Sequence, residues 1–171
     1  MDTSNYFRFY GFEPEFDIDE KLLRQKYLQI NRDFHPDFFA LNPEKQVEAL
    51  QISSYNNDAF KTLETFDKRV AYYLSLYGLY DKESKAELPP DFLMEVIDLN
   101  EEVADAQFDH DANTLNAVKE KITKMMQECV DKLVEIGKQL KGQEERDTLH
   151  QAAKTEFQKY KYFSRLLSKI K

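Results

Sequence analysis

Hydrophobic positions recur at helical spacing along most of the chain. Two such stripes flank a polar turn near residue 36, and their members are Leu23, Tyr27, Ile30 and Phe34 before it and Ile52, Tyr55, Ala59, Leu63 and Phe66 after it. Steps of three and four place these side chains on one face of each helix. The alternation of apolar and polar residues that is typical of strands is not sustained anywhere. The pattern therefore predicts an all-α protein.

Caps, prolines and glycines set the helix boundaries expected in the first half of the chain. We expect a short first helix at residues 4–10, capped by Ser4 or Asn5, and a second helix that is capped by Asp17 or Asp19 and ends near Phe34. After a loop from Phe38 to Asn42, we expect a third helix from Pro43 to about Phe66 and a fourth helix from Asp67 to Tyr77. The second and third helices would form an antiparallel hairpin.

The second half of the chain reads as a separate three-helix bundle. Residues 79–88 form a polar connection, so we expect a domain at 1–80, a linker at 81–89 and a second domain at 90–171. The predicted helices run from Pro90 to about Phe108, from about Asp111 to Lys141 with Asp111 or Asn113 as the cap, and from about Glu144 to the end. Short connections between such helices favour an up-down-up bundle.

His35-Pro36-Asp37 lies at the tip of the predicted hairpin, where Pro36 stops the preceding helix. A tripeptide of this kind is by itself an ordinary turn sequence. Its flanks are more specific: Leu23-Arg24-Gln25-Lys26-Tyr27, Asn57-Asp58-Ala59-Phe60-Lys61-Thr62-Leu63 and Lys68-Arg69-Val70-Ala71-Tyr72. Together they resemble the J-domain of DnaJ-type co-chaperones. The resemblance implies that His35, Pro36 and Asp37, with the cations Lys26, Arg32 and Arg24, bind an ATPase chaperone of the HscA/DnaK type.

The helix that begins at Pro90 has two apolar faces. Phe92, Val96, Leu99, Val103 and Ala106 form one narrow seam. The other face lies roughly 100–200° round from Phe92 and consists of Leu93, Met94 and Ile97 beside Asp98, Glu101 and Asp105. An apolar patch rimmed by acids is typical of a partner site. The alternative is that a small bundle simply exposes some aliphatic surface.

Two further segments are similar to the HscB type of J-protein. They are Leu74-Ser75-Leu76-Tyr77-Gly78 after the hairpin, and Phe92-Leu93-Met94-Glu95 followed by Asn100-Glu101-Glu102. The resemblance implies that this helix binds an IscU-type iron–sulfur scaffold. The contact residues that it implies are Leu93, Met94, Ile97, Asp98, Glu101 and Asp105, with Phe163 from the last helix beside them.

The resemblance as a whole implies a co-chaperone of iron–sulfur cluster assembly. Such a protein stimulates the ATPase of an HscA/DnaK-type chaperone and delivers the scaffold to it, which assists cluster transfer and protein maturation. A general J-protein that serves a DnaK-type chaperone with another client is the alternative. A helical interaction domain without a chaperone role, in which His-Pro-Asp is only a turn, is a third reading.

Charge and composition bear on whether the chain binds nucleic acids, metals or cofactors. The net charge is −8, and residues 81–114 carry 11 acidic against 2 basic residues, while the basic excess near the C-terminus is spread along two helices. This distribution does not favour nucleic-acid binding. Cys129 falls on an apolar stripe, and the three histidines are scattered, so we expect no metal and no cofactor.

Catalysis and membrane association are not expected either. Neither a nucleophile–base pair nor a phosphate-binding glycine loop is visible, so we do not expect an enzyme. No apolar run approaches transmembrane length, and the first residues lack the pattern of a signal peptide. We therefore expect a soluble cytoplasmic protein that does not bind membranes. Separately, we expect the chain to be a monomer.

Overall fold

All regular structure in the described part of the chain is helical. The computed structural model describes residues 2–81, 88–108, 112–140 and 146–170. Its helices are α1 (Tyr6–Phe9), α2 (Glu20–Asp33), a 3-10 turn (Pro36–Phe39), α3 (Pro43–Leu63), α4 (Phe66–Leu76), α5 (Pro90–Phe108), α6 (Ala112–Leu140) and α7 (Arg146–Lys169). The predicted all-α class is confirmed. None of the helices described here is long and apolar enough to cross a membrane.

Side-chain caps decide where the first helices begin. Of the alternatives, Asn5 caps α1 by accepting from the amide of Arg8, and Asp19 caps α2 by accepting from the amide of Leu22 at 2.9 Å. Asn42 caps α3 in the same way, by accepting from the amide of Lys45 at 3.1 Å. Each of these oxygens accepts a hydrogen bond from a first-turn amide that has no partner within the helix.

Three predicted boundaries need correction, and others cannot be compared. The third helix does not continue to Phe66, because Thr65 adopts an extended conformation and α4 begins at Phe66. The expected loop from Phe38 overlaps a 3-10 turn that ends at Phe39. Asn113 lies inside α6 and is not its cap. The predicted boundaries at Asp111, Lys141 and Glu144 lie outside the described residues.

Packing divides the chain into two compact units, Met1–Tyr77 and Gly78–Lys171. In the first unit, buried Asn56 of α3 ties the elements of the hairpin together. Its side-chain oxygen accepts from the hydroxyl of Tyr10 at 2.6 Å, and its side-chain nitrogen donates to the carbonyl of Tyr27 at 3.1 Å and to the side chain of Asn31 at 3.0 Å. Because every polar atom of the amide has a partner, its burial stabilises one register of α2 against α3.

Arg69 holds together the end of the hairpin that lies away from the turn between α2 and α3. Its buried guanidinium donates to the carbonyls of Phe16 and Leu63 at 2.8 and 2.7 Å, and it pairs with the carboxylate of Glu20 at 3.2 Å. These bonds join the segment before α2, the end of α3 and the first turn of α2. The open end of the hairpin is thereby fixed, and the turn between α2 and α3 is left at the opposite end.

The second unit is built on the seam that the sequence predicts for α5. Phe92, Val96, Leu99, Val103 and Ala106 are all buried, and they pack with residues of α6 and α7 in one core. Cys129 of α6 belongs to this core, as its place on an apolar stripe predicts. Burial, followed by the nearby carboxylate of Glu156, raises the pKa of the Cys129 thiol to about 12.

Candidate partner-binding surfaces

The turn between α2 and α3 holds the tip motif, which we define as His35-Pro36-Asp37. Phe34 ends α2, and its amide still donates to the carbonyl of Ile30. Pro36 keeps His35 extended, at φ −68° and ψ 124°, and then starts the 3-10 turn. The imidazole Nδ1 of His35 accepts from the amide of Asp37 at 3.3 Å, and the carbonyl of His35 accepts from the amide of Phe38 at 3.0 Å. His35 therefore caps the start of the 3-10 turn.

Both titratable side chains of the tip motif are available to a partner. The side chain of His35 is 53 % exposed and that of Asp37 is 84 % exposed, with 3.7 Å between imidazole Nδ1 and carboxylate Oδ2. The ring of Phe38 lies 5.7 Å from that of His35 and is itself exposed, as is Leu41. Neither Phe38 nor Leu41 is predicted from the sequence to belong to this surface, although Phe38 and Phe39 follow the motif directly.

The three cations proposed on α2 lie in different environments. Arg24 and Arg32 are exposed, and neither forms an ion pair within the part of the chain that the structure describes. Lys26 is half-buried, and its ammonium lies 5.6 Å from the centre of the Phe12 ring. Such a cation–π contact holds the ammonium against the segment before α2. The two arginines are therefore freer to meet a partner than Lys26 is.

The second candidate surface is the α5 patch, which we define as Leu93, Met94 and Ile97. These side chains are 46 %, 64 % and 57 % exposed, although the seam on the same helix is buried. The two-faced helix that the sequence predicts is thus confirmed. The patch is apolar, and each of its three residues is about half exposed or more.

Carboxylates rim the α5 patch. Asp98, Glu101 and Asp105 are exposed, and none of them forms an ion pair with another described residue. Glu102, in contrast, is held by Lys121 of α6 at 2.6 Å. The three carboxylates therefore leave an uncompensated negative rim along the outer side of α5.

Phe163, which the resemblance places beside this surface, is buried in the structure. Phe163 is only 2 % exposed, and its ring packs edge-on against Phe92 with 5.4 Å between centroids. Since Phe92 belongs to the buried seam, Phe163 lies on the core side of α5. Burial of Phe163 stabilises the bundle, and its contact with a scaffold stays a prediction.

The described residues contain no group of three His, Cys, Asp or Glu side chains that is placed to hold a metal ion. The polar side chains of both surfaces instead lie on exposed helix faces or in the turn, and they do not converge on one point. Such arrangements suit recognition of another macromolecule, because they offer charges and apolar groups without an enclosed pocket.

Comparison with known proteins agrees with this architecture. Residues 88–171 match the family described as the HSCB C-terminal oligomerisation domain. The co-chaperone protein HscB of Proteus mirabilis is 37 % identical over 115 residues, which cover 66 % of each chain. An HscB homolog of Neisseria meningitidis serogroup C is 35 % identical over 121 residues, 70 % of this chain and 73 % of the homolog.

Solved structures give the same result over nearly the whole chain. The chaperone HscB from Vibrio cholerae superimposes with a TM-score of 0.70 at 29 % identity, and the match covers 97 % of this chain and 94 % of that one. Human co-chaperone HscB gives 0.79 at 27 % identity, with 99 % and 82 % covered. Fold and sequence together thus define a co-chaperone. The chain belongs to the HscB family of co-chaperones.

Proposed function

We propose that this chain is a co-chaperone of iron–sulfur cluster assembly that joins an ATPase chaperone to a scaffold protein. The observation that carries the proposal is the presence of two exposed candidate surfaces, the tip motif on one unit and the α5 patch on the other. A protein with one binding surface on each of two units can hold two partners at once. Its contribution is then to raise their effective concentration for each other.

Through the tip motif, the chain binds an HscA/DnaK-type chaperone and stimulates its ATPase. The exposed carboxylate of Asp37 can accept charge-assisted hydrogen bonds from a partner arginine. Arg24 and Arg32, with Lys26 if it leaves the Phe12 ring, add positive charge that favours encounter with a negative surface. ATP is bound and hydrolysed by the partner, so this chain is not itself an enzyme.

Through the α5 patch, the second unit binds an IscU-type scaffold. Leu93, Met94 and Ile97 would enter an apolar depression on the scaffold, and the carboxylates of Asp98, Glu101 and Asp105 would surround that contact. An apolar centre with a charged rim is the usual anatomy of a specific interface. The rim requires that the scaffold present basic groups nearby.

The proposal assigns one function to each part of the chain. Residues 1–80 act as the J-domain, residues 81–89 as the linker and residues 90–171 as the scaffold-binding domain. A cytoplasmic location, a monomeric state and the absence of nucleic-acid and membrane binding belong to the same proposal and stay predictions.

The test is a steady-state ATPase assay with a purified HscA/DnaK-type chaperone. Added chain should raise the rate of hydrolysis, and His35→Gln should remove that effect while the thermal midpoint stays unchanged, because the imidazole makes no core contact. Titration calorimetry with an IscU-type scaffold should show binding. Stimulation without scaffold binding would favour a general J-protein with another client. Absence of stimulation by the unaltered chain would refute the proposal.

A further inference from the structure

The C-terminal end of α2 cannot be closed by its own following residues in the usual way. The last carbonyls of a helix have no partner inside it. They are commonly filled by amides from the first two residues after the cap. Phe34 is the C-terminal cap here, and the second residue after it is Pro36, which has no amide hydrogen. Pro36 therefore contributes no hydrogen bond to this end of α2.

The cap residue Phe34 is held instead by Ser53 of α3. Its hydroxyl donates to the carbonyl oxygen of Phe34 at 3.0 Å, in a partly buried position. That oxygen belongs to the peptide group that joins Phe34 to His35. Because a peptide group is planar and rigid, fixing its oxygen also fixes the direction in which the chain enters the tip motif.

Ser53 and Asn56, two polar side chains of α3, bond to α2, and the bond from Ser53 is the one nearer the tip motif. Asn56, three residues further along α3 and so on the same face, holds the preceding turn of α2 through Tyr27 and Asn31. Beyond the motif, the side chain of Asn42 caps the start of α3. The tip motif is thus bounded on both sides, and Ser53 makes the last bond before it.

We propose that Ser53 is a positioning residue that holds the tip motif in the orientation that the ATPase chaperone binds. This inference rests on the function proposed above. If the bond is lost, the binding-competent orientation is only partly populated, and the apparent dissociation constant rises by the inverse of that fraction. Once bound, the complex is unchanged, so the maximal stimulation is not affected. The net contribution of one hydrogen bond corresponds to a change of roughly two- to tenfold.

The chain offers a matched control. Ser54 is the adjacent residue of the same helix, has the same side chain and is exposed. We therefore compare Ser53→Ala with Ser54→Ala, and Ser53→Thr serves as a rescue variant because it keeps a hydroxyl. Should Ser53→Ala fail to fold at the assay temperature, Ser53→Cys replaces it, since a thiol is only a weak donor.

The first measurement is chaperone ATPase rate against concentration of each variant. For Ser53→Ala we expect the half-saturating concentration to rise by roughly two- to tenfold with the maximal rate unchanged. Ser53→Thr and Ser54→Ala should match the unaltered chain. A purely structural role would lower the thermal midpoint without moving the half-saturating concentration of the folded chain.

The second measurement does not depend on any partner. The amides of Asp37 and Phe38 both donate to His35, so their ¹H–¹⁵N signals report on the tip motif. They should shift in Ser53→Ala and stay in place in Ser54→Ala. An unmoved half-saturating concentration or unmoved signals in Ser53→Ala would each overturn the inference alone. Failure of the unaltered chain to stimulate the ATPase would overturn the proposed function, and this inference with it.

Discussion

Two leucines of α5 offer a direct comparison between a partner surface and a core. Leu93 belongs to the α5 patch and Leu99 to the seam, and they lie six residues apart on one helix. Leu93 is 46 % exposed and Leu99 is 2 % exposed. Replacing either by alanine removes the same atoms and changes helix propensity by the same small amount. Any difference between the two variants therefore reports on their surroundings.

The expected magnitudes differ clearly. Leu99→Ala opens a cavity against α6 and α7 and should lower the free energy of unfolding by about 2–4 kcal/mol. Leu93→Ala removes atoms of a residue that is already about half exposed, so the free energy of unfolding should change by no more than about 1 kcal/mol. If Leu93 is a central anchor of the scaffold interface, its truncation should cost about 2 kcal/mol in binding. That corresponds to a roughly 30-fold rise in the dissociation constant.

The assay combines urea denaturation of each variant with titration calorimetry against an IscU-type scaffold. Leu93→Ala should keep its denaturation midpoint and lose affinity. Leu99→Ala should lose stability and, at temperatures where it is folded, keep most of its affinity. The reasoning is refuted if Leu93→Ala unfolds as readily as Leu99→Ala while its folded form binds the scaffold normally.

Three further predictions concern charge, a buried cation and pH. Arg24→Glu and Arg32→Glu should slow association with the chaperone at low salt, and the loss should shrink at high salt because exposed charges are screened; equal stopped-flow rates at low salt would contradict this. Arg69→Met should lower the free energy of unfolding by about 2–4 kcal/mol, since two buried carbonyls lose their donor; an unchanged urea midpoint would contradict it. His150 of α7 is buried, and burial, followed by the neighbouring Arg146, lowers the pKa of its imidazole. The neutral imidazole therefore contributes to the free energy of unfolding above about pH 6.5, and this contribution is lost as the pH falls below that value. The unfolding free energy of the unaltered chain should therefore fall more between pH 8 and pH 5 than that of His150→Gln, and parallel curves would contradict this assignment.

The features that the sequence predicts well depend on geometry within single helices. The angle between Phe92 and Leu93 around a helix axis is fixed by the helix itself, so the two faces of α5 follow from spacing alone. The tip motif is similarly local, because Pro36 stops α2 wherever the rest of the chain lies. In both cases a few neighbouring residues contain the whole physical cause.

The features that were missed depend on contacts between distant residues. Asn56 and Arg69 are polar, and their burial becomes favourable only when groups from other helices meet their donors and acceptors. Phe163 was assigned to the α5 patch by resemblance, but its burial against Phe92 is decided by the packing of α7 on α5. The bond from Ser53 to Phe34 joins residues 19 apart and carries no signal in either local pattern.

The central claim is that one chain carries both partners, and trans-complementation tests it most directly. His35→Gln should lose ATPase stimulation and keep scaffold binding, whereas a variant with both Leu93→Ala and Ile97→Ala should do the reverse. The rate of ATP hydrolysis by an HscA/DnaK-type chaperone is measured with an IscU-type scaffold, adding either the unaltered chain or an equimolar mixture of the two variants. We expect the scaffold to increase stimulation by the unaltered chain and to have no such effect with the mixture. If the mixture responds to the scaffold as fully as the unaltered chain does, the two surfaces need not lie on one molecule, and the account is wrong.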